Sequence, residues 1–187
     1  VVNYIHSEAQ NLTDAVKERV DAIVYCNSIH YVPDKAKLVK QIKEKLTPQG
    51  IFAFNTSFFE GSHPEDSHEF FRKWMMRSLR ILKREHGLSP KKSGKVESRV
   101  QLTANQYIDL VESAGLKVLV NDLNRVEVPH EGWHQISGFS DWIEGVMPGV
   151  PLNKGRESLQ KGLAQIWTEM ELKTVPRVWL SVSASKI

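Results

Sequence analysis

Ala22-Ile-Val-Tyr-Cys-Asn27, then Ser28-Ile-His30-Tyr31-Val-Pro33, a lysine-rich segment, Thr47-Pro-Gln-Gly50 and Ile51-Phe-Ala-Phe-Asn-Thr-Ser-Phe58 decide the fold. Ile23, Val24 and Tyr25 run without alternation, the pattern of a strand buried on both faces in a parallel sheet. Between Asp34 and Leu46, the spacing of Leu38, Ile42 and Leu46 lays one apolar stripe on a helix, with lysines elsewhere. Pro48 and Gly50 stop that helix and turn the chain into the apolar run Ile51 to Phe54. Strand, helix and strand in that order form a βαβ crossover, which requires parallel strands. The fold class is therefore α/β.

Composition narrows the class. The chain has 187 residues, 41% of them hydrophobic and 25% charged, which suits one globular domain with a substantial core. A formal net charge of +3 is too small to point to a polyanionic partner. The single Cys26 excludes an intrachain disulfide and fits a reducing, cytoplasmic setting. The sequence has no apolar run long enough to span a membrane, so no membrane insertion is expected. No metal-ligand pattern stands out, and oligomeric state is left open, a dimer among the options.

The decisive stretch resembles the second half of a class I S-adenosylmethionine-dependent methyltransferase. In that family a fourth strand ends near the methionine part of the cofactor, and a "leucine, any residue, proline, glycine, glycine" turn precedes the fifth. Here Leu46-Thr-Pro-Gln49-Gly50 has glutamine for the first glycine, a change that a type I turn tolerates. The resemblance implies a Rossmann-like, mostly parallel sheet whose last strand is antiparallel. It implies S-adenosylmethionine as cofactor and S-adenosylhomocysteine as product.

The site residues follow from the same resemblance. Tyr4 to Ser7 is expected as a short strand, with Glu8 accepting from the adenine amine, Ala9 donating a backbone N–H to the ring, and Gln10 beside them. The bland alternative is an exposed glutamate at a strand end. Cys26, Asn27 and Ser28 fall at the carboxyl end of the next strand, where ligands of open α/β sheets bind. There a backbone carbonyl would meet the cofactor's amino group, so side-chain identity is expected to matter little and Cys26 to be a small buried residue. Asn27-Ser-Ile-His30 does not match the "asparagine, proline, proline, aromatic" motif of nucleic-acid amino methyltransferases.

His30 is the one catalytic candidate, because an imidazole can deprotonate a hydroxyl or carboxyl acceptor. Packing and orienting is its alternative role. Phe58 is also expected to face the acceptor, and Tyr31 either to contact the acceptor or to serve as a packing residue. Ser67 to His86 reads as an amphipathic helix closed by Gly87. Its apolar face holds Phe71, Met75, Leu79 and Leu82, flanked by Phe70 and Trp74; Arg72, Lys73, Arg77, Arg80, Lys83 and Arg84 make the other face basic. Lys91, Lys92 and Lys95 follow in an expected flexible loop. A lid with a solvated basic face is preferred over a nucleic-acid or anionic-membrane surface, since no base-reading chemistry accompanies the charge.

Thr103-Ala-Asn-Gln106 is a capping box opening a helix that ends at Gly115, and Leu116 to Leu123 is the strand after it. Between Pro129 and Met170, Trp133 and Trp142 either line an apolar acceptor pocket or form the core of a helical cap. Val178, Leu180, Val182 and Ala184 alternate with polar neighbours in the closing strand. The expected organisation is one methyltransferase-like domain over 1–187, with helical insertions at about 61–100 and 130–172.

No G-x-G occurs in the chain, so the family's glycine-rich loop and second-strand ribose carboxylate have no counterpart. The family's sheet order, 3-2-1-4-5-7-6, would then leave the first segment without a neighbour and one strand edge open. About 60 to 100 further residues upstream are expected in the natural protein, the length of two βα units. The implied function is methyl transfer to a small-molecule acceptor. Its rivals are a nucleic-acid or protein methyltransferase using helix 67–86, and a non-catalytic interaction module.

Overall fold

The computed structural model describes residues 2–91 and 101–187. Within them the chain forms two compact units, 2–62 with 101–124 and 178–187, and 63–91 with 125–177. Lys92 and Lys95 lie outside the described residues.

The first unit holds the crossover. Strand β1 (Val20–Cys26) leads through helix α2 (Lys35–Lys45) into strand β2 (Leu46–Thr56), and β1 and β2 pair in parallel. Asp34 caps α2 by accepting from the Lys37 N–H at 2.8 Å. Leu38, Val39, Ile42 and Leu46 are fully buried, as the stripe requires. Strand β4 (Thr174–Lys186) runs antiparallel to β2, and β3 (Leu116–Pro129) completes the order β1-β2-β4-β3. The α/β class, the mixed sheet and the antiparallel last strand agree with the expectation. The capping box also forms, Thr103 and Gln106 exchanging hydrogen bonds at the start of α4 (Ala104–Ser113).

Three expectations are corrected. Tyr4 to Ser7 is not a strand; it is an exposed extended segment leading into the turn Ala9–Asn11 and the short helix α1 (Leu12–Ala15). The physical reason is that β1 is the edge strand of the described sheet, and no strand pairs with the opening segment. Strand β1 is not buried on both faces. Ile23 and Tyr25 pack on the core that holds Leu38, Val39 and Ile42, whereas Ala22, Val24 and Cys26 point the other way and are exposed. Cys26 is therefore an exposed thiol rather than a buried one.

Thr47 to Gly50 bulges out of β2 between the pairs Val20–Leu46 and Ala22–Ile51. Gln49 sits there at φ 65°, the left-handed region, which is the conformation a glycine would take without strain. The glutamine is thus not the neutral replacement that a type I turn would allow.

The second unit is helical. Helix α3 (His68–His86) lies against α7 (Leu152–Glu169), with α5 (His130–Ile136) and α6 (Ser140–Val146) beside α7. Gly87 closes α3 at φ 64°. The buried stripe of α3 is Phe70, Trp74, Ser78, Ile81 and Leu82, rotated from the expected one, and Leu79 is exposed. Ser78 faces Gly162 of α7, where an added Cβ would collide with the serine hydroxyl and backbone. A small residue on each helix permits this close approach, and the approach sets the rotation. No described helix is long and apolar enough to cross a membrane.

Candidate functional site

The carboxyl ends of β1 and β2 are tied together by two asparagines. Asn27 follows β1 at φ 46°, a left-handed conformation that asparagine tolerates better than most residues. Its N–H donates to the Asn55 side-chain oxygen at 2.7 Å and to the Asn55 carbonyl at 3.1 Å. Its own Oδ1 accepts from the Ser57 N–H at 2.9 Å and from the Ser57 hydroxyl at 3.3 Å. The Asn27 side chain is therefore structural, contrary to the expectation that its identity matters little.

One step further along, the turn Ile29–Tyr31 carries His30 inward. Its Nδ1 lies 3.1 Å from the Thr56 hydroxyl, which also accepts from the Phe58 N–H at 3.1 Å. The imidazole is buried, with the Tyr31 ring 4.1 Å away and the Phe58 ring 4.3 Å away between centroids. Three of the expected acceptor-side residues, His30, Tyr31 and Phe58, are thus one aromatic cluster. A histidine held on Thr56 and between two rings has one orientation, and a positioned base or a positioning residue both need that. Ser28 is half-buried, and its carbonyl accepts from the Tyr31 N–H at 3.1 Å.

Glu8 is exposed and accepts from the Gln10 side chain at 3.3 Å. Ala9, together with Leu12, packs on the core of the first unit. Glu8 precedes the turn Ala9–Asn11, and Ala9 and Gln10 lie within it, where the sequence predicts a strand end.

Trp133 and Trp142 belong to the second unit. Trp133 is fully buried among Phe70, Phe71 and Trp74, and its indole N–H donates to the Val175 carbonyl at 3.4 Å. Of the two roles foreseen for Trp133, the cap's own core is the one its burial fits. Trp142 is half-buried and stacks on Trp74 at 6.1 Å between centroids.

The sequence reading missed Arg177. This buried guanidinium lies 5.7 Å from the Trp133 ring and 5.9 Å from the Trp142 ring, and burial pulls its pKa down to about 10. His63 stacks on Phe71 at 4.0 Å. Burial first, then the charges of Arg177 and His68, lower its pKa to about 4. The flanking Pro176 and Val178 gave no sign of Arg177, because neither residue marks a cation for burial.

Residues 1–54 match a family model described as "Methyltransferase domain". No curated protein matches the chain. Among solved structures, a "putative methyltransferase" from Bacillus halodurans C-125 is 14% identical, with a TM-score of 0.52, over 98% of this chain and 71% of that one. Phosphoethanolamine N-methyltransferase 2 of Haemonchus contortus, in complex with phosphomonomethylethanolamine and S-adenosylhomocysteine, is 14% identical at a TM-score of 0.46, over 96% and 36%. A methyltransferase described as SAM-dependent from Methanosarcina mazei is 11% identical at 0.46, over 97% and 65%. This chain thus spans less than two thirds of the length of the latter two. What the Bacillus protein shares at such identity is the fold.

Proposed function

We propose, for a chain of the class I S-adenosylmethionine-dependent methyltransferase family and fold, that it transfers a methyl group from S-adenosylmethionine to a small-molecule acceptor. The observation that carries this reading is the tied carboxyl end of β1 and β2, where Asn27, Asn55 and Ser57 fix the backbone. Open α/β sheets bind their ligands at that place.

The donor set suits one side of the cofactor. The backbone around Cys26 and Ser28 offers a carbonyl to an amino group, and Glu8 with Gln10 offers an acceptor to an adenine amine with the Ala9 N–H beside it. The glycine loop and ribose carboxylate are not among this chain's residues, so the chain supplies the methionine and adenine contacts alone. Bound S-adenosylmethionine supplies a methyl group on a sulfonium, open to in-line displacement by the acceptor. The protein's part is to position the acceptor and exclude water. His30 orients on Thr56 and serves as the candidate base, with Tyr31 and Phe58 holding its plane. The mismatch of Asn27-Ser-Ile-His30 with the nucleic-acid motif supports a small acceptor. We take 1–187 as one methyltransferase-like domain with helical insertions at about 61–100 and 130–172.

A thermal-shift titration with S-adenosylhomocysteine tests the reading, on this chain and on any longer natural form. Ligand at 100 times its dissociation constant stabilises a competent fold by about 2.7 kcal/mol. Asn27→Ala releases the β1 terminus and is expected to weaken binding at least about tenfold, a loss of about 1.4 kcal/mol. No shift in either form would sink the enzyme reading.

A further inference from the structure

We propose that the groove between α3 and α7 binds a small oligophosphate anion, such as the phosphate chain of a nucleoside triphosphate or inorganic tripolyphosphate. The groove is open, has a volume of about 750 Å³, and is lined by Arg77, Arg80, Ile81, Lys83 and Arg84 of α3 and Gln165 of α7. That volume is in the range of small-ligand sites, roughly 300 to 1,000 Å³.

The cations are arranged rather than scattered. Arg77, Arg80 and Arg84 follow the three-then-four spacing of one helix face, and Arg77 to Arg84 spans about 10 Å at a rise of 1.5 Å per residue. Arg77 is anchored by Gln165 at 3.0 Å and by Glu169 at 2.5 Å, which fixes one guanidinium at the wall. The nearby carboxylates Glu85 and Glu157 are both held by Lys161, at 2.7 and 2.9 Å, and Glu85 also pairs with Arg84 at 3.2 Å. Arg80 and Lys83 form no ion pair among the described residues, so the groove carries uncompensated positive charge. Guanidinium forks pair bidentately with phosphate oxygens, and a lysine adds a point charge.

The shape selects the ligand class. A duplex presents a charge about every 1.7 Å and is met by an extended basic stripe. Here the patch is two helical turns long and is bordered by Glu85, Glu157 and Glu169. Single strands bind through stacked aromatic rings, and among the described residues no aromatic ring lines this groove. A compact, multiply charged phosphate chain fits both facts. The groove lies wholly within the second unit, so this inference stands independently of the methyl-transfer reading.

Isothermal titration of the whole chain at about 50 mM salt, with sodium tripolyphosphate and separately with adenosine triphosphate, tests it. Saturable binding is expected for both. The double variant Arg80→Ala, Lys83→Ala, at exposed positions, should weaken both at least about tenfold. Lys37→Ala, Lys40→Ala on the exposed face of α2 should change either by less than about twofold. Equal affinity for the two ligands means the phosphate chain alone is read; tighter nucleotide binding means the nucleoside adds a contact, and both outcomes support the site. Absence of saturable binding to either ligand overturns the proposal, as does an unchanged affinity in the groove variant. So does an oligonucleotide of about 20 nucleotides that binds and is not displaced by tripolyphosphate, because the surface would then read a polymer.

Discussion

Asn27 accepts two hydrogen bonds from Ser57 through its side chain while its backbone N–H is shared by both oxygens of Asn55. A residue with an apolar side chain at this position would lose the acceptor and meet the steric cost of φ 46° as well. The importance of that side chain was hidden in the sequence, because its partner Ser57 stands 30 residues away, just past the end of another strand. His30 was easier to find, since imidazole is rare and chemically distinct, but its hold on Thr56 needed the fold. His63 carries the pH dependence. Its folded pKa of about 4 lies below the ordinary value of 6.5, so the fold favours the neutral ring. The stabilisation is therefore complete above pH 6.5 and is lost as pH falls from 6.5 towards 4, because the unfolded chain takes up the proton first. The loss is on the order of 3 kcal/mol. Urea unfolding across that window should show a flatter stability profile for His63→Gln than for the parent; identical slopes would remove His63 as the cause.

The pairing of α3 with α7 turns on two small residues. Ser78 and Gly162 let the helix backbones approach, and this placed the buried face of α3 on Phe70, Trp74, Ile81 and Leu82. Hydrophobic periodicity located the helix and its glycine stop but rotated the face, because a serine scores as solvent-facing. The same limit applies to Gln49, whose left-handed φ no propensity marks. Helix α2, the capping box of α4 and the alternation of β4 were legible, since each rests on local spacing. The close contact gives a prediction with opposite signs at two glycines. Gly162→Ala drives a methyl group into Ser78 and should cost about 1 to 3 kcal/mol by overpacking. Gly145→Ala, within α6 and with nothing within 4 Å of the added Cβ, should instead gain up to about 1 kcal/mol from helix propensity. Chemical denaturation of the two variants beside the parent decides it, and a neutral Gly162→Ala would show that the helices can part without cost.

Taken as one molecule, the chain has a mixed sheet whose order β1-β2-β4-β3 leaves β1 at an edge. The crossover, the antiparallel closing strand and the open edge were readable, the first from patterning and the other two from the family resemblance. The uncovered face was not, because Ile23-Val24-Tyr25 reads alike whether one face or both are packed. Physically, an edge strand offers unpaired backbone groups to another chain, and an apolar face beside it makes that contact adhesive. Val24 is 62% exposed at this edge, with Ala22 and Cys26 on the same face. Val24→Lys places a charge where a second strand would dock and removes no packing from the face that holds Ile23 and Tyr25. Light scattering during concentration should therefore fall for Val24→Lys while unfolding stability stays within about 0.5 kcal/mol of the parent. Unchanged scattering would mean that self-association runs through another surface, and a large loss of stability would mean that Val24 is packed in solution.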